Sequence, residues 1–140
     1  MGTRSLFVAD DREEALHLAD IGLRRAAARF AAARFAAAVL PGQAPRPRPQ
    51  APLAELIAAY DVHVGTPDDV IASLQADTAL ARTTDIVFQV HSVDPPHEHI
   101  LRSIELTATQ VAPALGWVRK PVSVPVTLAP SPAERTPEPA

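Results

Sequence analysis

Apolar positions in this chain form two kinds of pattern: short continuous runs, and stripes that repeat every three to four residues. Ser5-Leu6-Phe7-Val8 is a run of the first kind, closed by Ala9-Asp10-Asp11. Its length and its β-branched and aromatic content predict a buried strand. A long helix is expected next, capped by Asp10 or Asp11, with Glu13 and Glu14 at the positive end of its dipole. Leu16, Leu23 and Phe30 recur every seven residues, with Ala19, Ala26 and Ala27 between them, and predict one apolar stripe. The pentad Ala-Ala-Ala-Arg-Phe occurs twice, at 26–30 and 31–35. Five residues do not match a period of 3.6, so Phe30 and Phe35 are expected about 140° apart. The duplication reads as alanine-rich filler of strong helix propensity. Arg24, Arg25, Arg29 and Arg34 lie in the later turns, where cations suit the dipole. A basic amphipathic membrane helix is the sharper alternative, and the acidic first turns oppose it.

Pro41-Gly42 stops this helix. Residues 53–60 form a short helical piece with Leu53, Leu56 and Ile57 on one side, and Asp61-Val62-His63-Val64 is a brief extended run. Gly65-Thr66-Pro67-Asp68-Asp69 opens another helix, with Thr66 as N-cap and Pro67 at its first position. Val70, Ile71, Leu74 and Leu80 supply its buried face, and Thr83-Thr84-Asp85 ends it. Ile86-Val87-Phe88-Gln89-Val90 is the clearest strand in the chain. After the loop 91–96 a last helix begins near Pro96 or His97. Ile100, Leu101, Ile104, Ala108, Val111 and Leu115 follow its 3.6 period, and Pro113 marks its final turn. Four segments result: a strand plus long helix over 1–40, a proline-rich linker over 41–52, a helix–strand–helix unit over 53–118, and a disordered tail over 119–140. Strands alternating with helices predict an α/β fold with a parallel sheet. Two strands are too few for a parallel sheet buried on both faces, so either more strands come from elsewhere or the chain is a piece of something larger.

Composition agrees with that segmentation. Of 140 residues, 15 are proline, and eleven of those fall within 41–52 and 121–139. What remains suits one small domain or part of a large one. A net charge of −3 argues against an electrostatic nucleic-acid binder. The absence of cysteine excludes a disulfide scaffold and thiolate metal sites. No apolar run approaches the roughly 18–20 residues of a membrane span. Early acidic residues argue against a secretory signal. A cytoplasmic protein with neither nucleic-acid nor membrane partner is expected. Pro45, Pro47 and Pro49 admit a proline-motif ligand, against the simpler reading of an extended linker.

Candidate chemistry is sparse. The Gly65-Thr66-Pro67 turn places a glycine and a hydroxyl at a helix start, where free N–H groups can hold an anion. Asp68 and Asp69 in the same turn oppose a phosphate, which favours ordinary capping. His91, His97 and His99 lie close in sequence, with Asp94 and Glu98 nearby. Residues two apart on a helix do not face each other, so a zinc site is not expected there. His91 directly follows a buried strand, and in parallel α/β proteins the carboxyl ends of strands carry the ligand site. It is the candidate to face a bound cofactor or substrate, as hydrogen-bond donor or proton-transfer group. A solvated loop histidine is the competing reading. No nucleophile with a matching base is legible, because Ser92 beside His91 does not make a triad.

The runs Val64-Gly65-Thr66-Pro67-Asp68-Asp69-Val70-Ile71, Asp85-Ile86-Val87-Phe88-Gln89-Val90, Leu101-Arg102-Ser103-Ile104-Glu105-Leu106 and Val111-Ala112-Pro113-Ala114-Leu115 occur in that order. Together they resemble the C-terminal end of the luciferase-like flavin-dependent monooxygenases. Leu6-Phe7-Val8-Ala9-Asp10, with Asp11-Arg12-Glu13-Glu14-Ala15 after it, is similar to the preceding strand and helix of that family. The resemblance spans residues 4–116. It implies a (β/α)8 TIM barrel of which this chain would be about the last quarter, mostly helical with two parallel strands. It also implies FMN or the deazaflavin F420 as cofactor. It carries over no catalytic residue, and His91 alone would stand on the active face. The expected function is therefore a truncated flavin monooxygenase, inactive alone, whose partner would be an N-terminal barrel fragment. The alternatives are a non-enzymatic helical interaction protein and a self-associating remnant.

Overall fold

The computed structural model describes residues 1–36, 47–90 and 93–118. They form a mixed α/β unit on a three-stranded parallel sheet. Strand β1 (Gly2–Val8) leads into helix α1 (Arg12–Ala36). Helix α2 (Leu53–Tyr60), strand β2 (Val62–Gly65) and helix α3 (Pro67–Ala76) follow. A single 3-10 turn, Leu80–Arg82, precedes strand β3 (Ile86–Gln89). Helix α4 (His97–Leu106) runs through a π-helical turn, Thr107–Val111, into a final turn, Ala112–Ala114. The expected segment boundaries at 40/41 fall outside the described residues, as does the tail 119–140.

The two-strand expectation is corrected to three. The run at 62–65 was legible only as a brief extended piece, because four residues are too few to show an alternation. Pairing makes it a strand: Ser5, Leu6, Phe7 and Val8 lie opposite Val62, His63, Val64 and Gly65. On its other side β1 pairs with β3, Gly2 opposite Ile86 through Ser5 opposite Gln89. The sheet order is thus β2-β1-β3. Consecutive strands of a barrel lie side by side in chain order. Here β1 is central, as in a doubly wound sheet.

Helices cover both faces of β1. Phe7, Ala9 and Val62 pack with Ala15, Ala19, Leu23 and Ala27 of α1 and with Leu56 of α2. Leu6 and Val8 face the other way, against Val70 and Leu74 of α3 and against Leu106 and Val111. Leu6 and Phe7 are wholly buried, and each such side chain contributes about 1.5–3 kcal/mol relative to exposure. The expected stripe on α1 is corrected in part. Leu23, Ala19 and Ala27 do face the core, but Phe30 is 43% exposed. Small residues at 15, 19 and 27 pack α1 against the sheet. Gly22 meets the loop after β3: a Cβ there would lie 1.4 Å from the Val93 carbonyl oxygen.

The last helix is also less buried than its periodicity implied. Ser103, Leu106, Thr107 and Val111 face the core, whereas Leu101 and Ile104 are exposed. Its π turn has local causes. Pro113 has no N–H to offer the carbonyl four residues earlier, and its ring crowds that carbonyl. The Thr107 and Thr109 hydroxyls donate to the Ser103 and Glu105 carbonyls at 2.6 and 2.7 Å, competing with the regular ladder. On the opposite side of the sheet, the Arg24 guanidinium ties residues 49–51 to α1 by donating to the Pro49 and Ala51 carbonyls. The described end of the linker is therefore anchored.

Candidate functional site

Three parallel strands carry their carboxyl ends to one edge, and in a doubly wound sheet ligands bind outside that edge where the strand order reverses. Here the reversal lies between β1 and β3. The chain leaving β1 supplies Ala9, Asp10 and Asp11. Asp11 caps α1, its carboxylate accepting from the Glu14 N–H at 2.9 Å. Asp10 instead receives both sides of the Arg102 guanidinium fork, at 2.7 and 2.6 Å. Arg102 also donates to Glu105 at 2.7 Å. This guanidinium holds the Asp10 carboxyl below the usual range, and the two carboxylates raise Arg102.

Beneath that pair the Ser103 hydroxyl accepts from the Val8 N–H at 2.9 Å. Val93 is fully buried at the same end of the sheet and packs in the α1 cluster. The loop after β3 thus crosses the carboxyl edge before α4 returns to the opposite face. His91, the candidate for this edge, lies outside the described residues, as does Ser92.

The carboxyl end of β2 shows why the anion cradle at 65–67 is filled. Thr66 and Asp69 form a reciprocal capping box. The Asp69 carboxylate accepts from the Thr66 N–H and hydroxyl at 3.1 and 2.9 Å, and the Asp69 N–H donates to the Thr66 hydroxyl at 3.4 Å. The Thr66 N–H, followed by its hydroxyl, pushes the Asp69 carboxyl down. Arg12 pairs with the same carboxylate at 3.0 Å. Gly65 has φ +147°, and a Cβ there would meet Asp69 Cβ at 2.6 Å, so only glycine fits.

Capping is thus what this turn does. The residues at this edge do not by themselves fit a flavin phosphate, because the N–H that would meet it already holds a carboxylate. Of the clustered histidines, only His97 and His99 are among the described residues. His99 lies 3.9 Å from Glu14, and no group of three or more metal-ligating side chains exists among the described residues. Among the same residues no helix is long and apolar enough to cross a membrane.

One pair was not legible in the sequence. His63 on β2 is 7% exposed, and its Nδ1 lies 2.7 Å from the Ser73 hydroxyl on α3. Its Nε2 has no hydrogen-bond partner among the described residues. Burial pushes the imidazole pKa down, against the opposing fields of Asp61 and Asp77. Arg4, on the neighbouring strand, is held by Asp77 at 2.5 Å. A hydroxyl on a neutral imidazole is the first half of a nucleophile–base arrangement. It lies away from the carboxyl edge, and a histidine followed ten residues later by a serine is not a recognisable spacing. Compared with known proteins, the chain matches no family model and no curated protein sequence.

Proposed function

We propose that the chain is a truncated relative of the luciferase-like flavin-dependent monooxygenases that does not turn over a flavin alone. FMN or F420 would be gripped mainly by the other strands of a barrel. The observation that carries the reading is the Asp69 carboxylate on the Thr66 N–H. It leaves the α3 entry as a capped helix start, and a flavin phosphate would need donors from elsewhere in a barrel. The order β2-β1-β3 departs from that of a barrel, so the reading requires β3 to have taken the edge of β1 that a preceding strand would flank in an intact barrel. His91 would stand at the end of β3, on the side where a flavin would lie.

Reconstitution tests this. The purified chain is mixed with the N-terminal portion of a luciferase-like enzyme, ended before the strand that corresponds to β1. FMN fluorescence anisotropy is followed, then F420. The chain alone is expected to give no saturable binding and no substrate-dependent oxidation of reduced flavin, and the mixture is expected to bind. Turnover by the chain alone, or no binding by the mixture to either flavin, overturns the proposal.

A second reading, an interaction or self-associating protein without redox chemistry, is favoured by the open β3 edge. Val87 on that strand is 45% exposed, whereas parallel strands are ordinarily covered on both faces. Sedimentation over a range of concentrations separates the two, since the flavin reading does not require a dimer.

A further inference from the structure

The exposed side of β3 is a groove of about 1290 Å³ between the strand and the last helix. Ile86, Phe88 and Val90 line it from the strand, and Ile104, Ala108 and Leu115 from the helix and its continuation. Val118 also lines it and is 78% exposed. So do Thr83, Thr84 and Asp85, at the amino end of β3.

We propose that the chain's own residues 122–128 lie extended along the outer edge of β3 and fill this groove. Three observations carry it. Helix α3 takes the chain from β2 past β1 to β3 across one face, and α4 covers that same face. Crossovers in a parallel sheet share one hand in about 98% of cases, so the next strand belongs beyond β3. The connection from Val118 is residues 119–121, within the 2–6 residues usual between a helix and the next strand. The segment itself reads Val122-Ser123-Val124-Pro125-Val126-Thr127-Leu128, with every second residue apolar.

The sheet fixes which residues face which way. Gly2, on the α4 face of β1, donates toward β3, to the Asp85 carbonyl at 2.7 Å. Ala9, on the α1 face, donates toward β2, to the Gly65 carbonyl at 3.1 Å. A parallel neighbour outside β3 obeys the same rule. With Val122, Val124, Val126 and Leu128 in the groove, their N–H groups point outward. Ser123 and Thr127 then donate to β3, and Pro125 offers its carbonyl alone. The inference does not rest on the flavin reading.

Amide hydrogen exchange on the full chain tests it. Ser123 and Thr127 are expected to exchange at least about tenfold slower than in a free peptide, with Val124 and Val126 fast. Trp117, the single tryptophan, flanks the groove and reports its cover. Val124→Asp should increase acrylamide quenching of Trp117 and abolish the protection, while Ser123→Asp, on the uncovered face, should leave the quenching unchanged. The exchange pattern of the unsubstituted chain decides the matter even if a variant fails to fold. Uniformly fast exchange across 122–128 overturns the proposal. Protection at Val124 and Val126 instead of Ser123 and Thr127 overturns it, because the valines would then face away from the groove. Protection that appears only as a dimer sediments overturns it in favour of a second copy on the edge.

Discussion

The Ser103 hydroxyl stands where a strand would otherwise be. Val8 lies beyond the last residue pair between β1 and β3, so its N–H, aimed to that side, has lost its ladder partner. A side chain 95 residues away accepts it at 2.9 Å, with Ser103 itself fully buried. A buried N–H left without an acceptor costs about 1–3 kcal/mol. Ser103→Ala is therefore expected to lower the urea-unfolding free energy by about that amount. Thr109→Ala, which removes an exposed hydroxyl bonded only to its own helix, is the control and should change stability little.

That contact shows where legibility ends. Thr66, Pro67 and Asp69 were readable as a helix start because a cap is made within four residues. The α1 cap was readable for the same reason as Asp10 or Asp11, and Asp11 is the one that caps. Ser103 and the His63–Ser73 pair depend on which elements meet, and no local spacing encodes that. On α1 the period gave Leu23, Ala19 and Ala27 correctly as buried. It did not give Ala15 and Gly22, which close packing against the sheet and the loop after β3 requires, and it put Phe30, half outside, in the stripe. On α4 the period was right, but its face is shared between the core and the β3 groove, so Ile104, which lines the groove, remains exposed.

Gly22 should be among the least replaceable positions. A Cβ there would fall within 1.4 Å of the Val93 carbonyl oxygen, which is backbone and cannot rotate away. Overpacking of this kind costs about 1–3 kcal/mol or more. Gly22→Ala is expected to separate α1 from the loop after β3. Circular dichroism in urea should show an earlier midpoint, and amide exchange near Val93 should accelerate. Gly116→Ala meets nothing within 4 Å and changes no packing, so any effect there reflects only its φ of +88°.

The capping box makes a prediction at low pH. Thr66→Ala is expected to cost about 1 kcal/mol, the usual value of a lost cap. Asp69, Asp10 and Asp77 all have carboxyl pKa values held below the ordinary one by hydrogen bonds to their partners. Their folded forms therefore bind protons less readily than the unfolded chain. The stability they contribute is present above the ordinary carboxylate pKa and is lost as pH falls through the folded values. Unfolding midpoints should decline as the solution is acidified below about pH 4. Asp69→Asn should lower stability at neutral pH and flatten that decline.

His63 should add a separate decline at higher pH. Burial lowers its folded pKa, so between that value and the unfolded value of about 6.5 the unfolded chain binds the extra proton. Stability is then complete above about 6.5 and falls as pH drops toward the folded value, before the carboxylates begin to titrate. The groups facing the ring set its extent: Asp61 and Asp77 favour the cation and Arg4 opposes it. His63→Gln keeps a polar group near Ser73 and removes the titration. The loss of stability between pH 7.5 and pH 5.5 should disappear in that variant while the acid decline remains. If the variant keeps the full pH 5.5 loss, the imidazole is not the group responsible and its burial does not control the fold in that range.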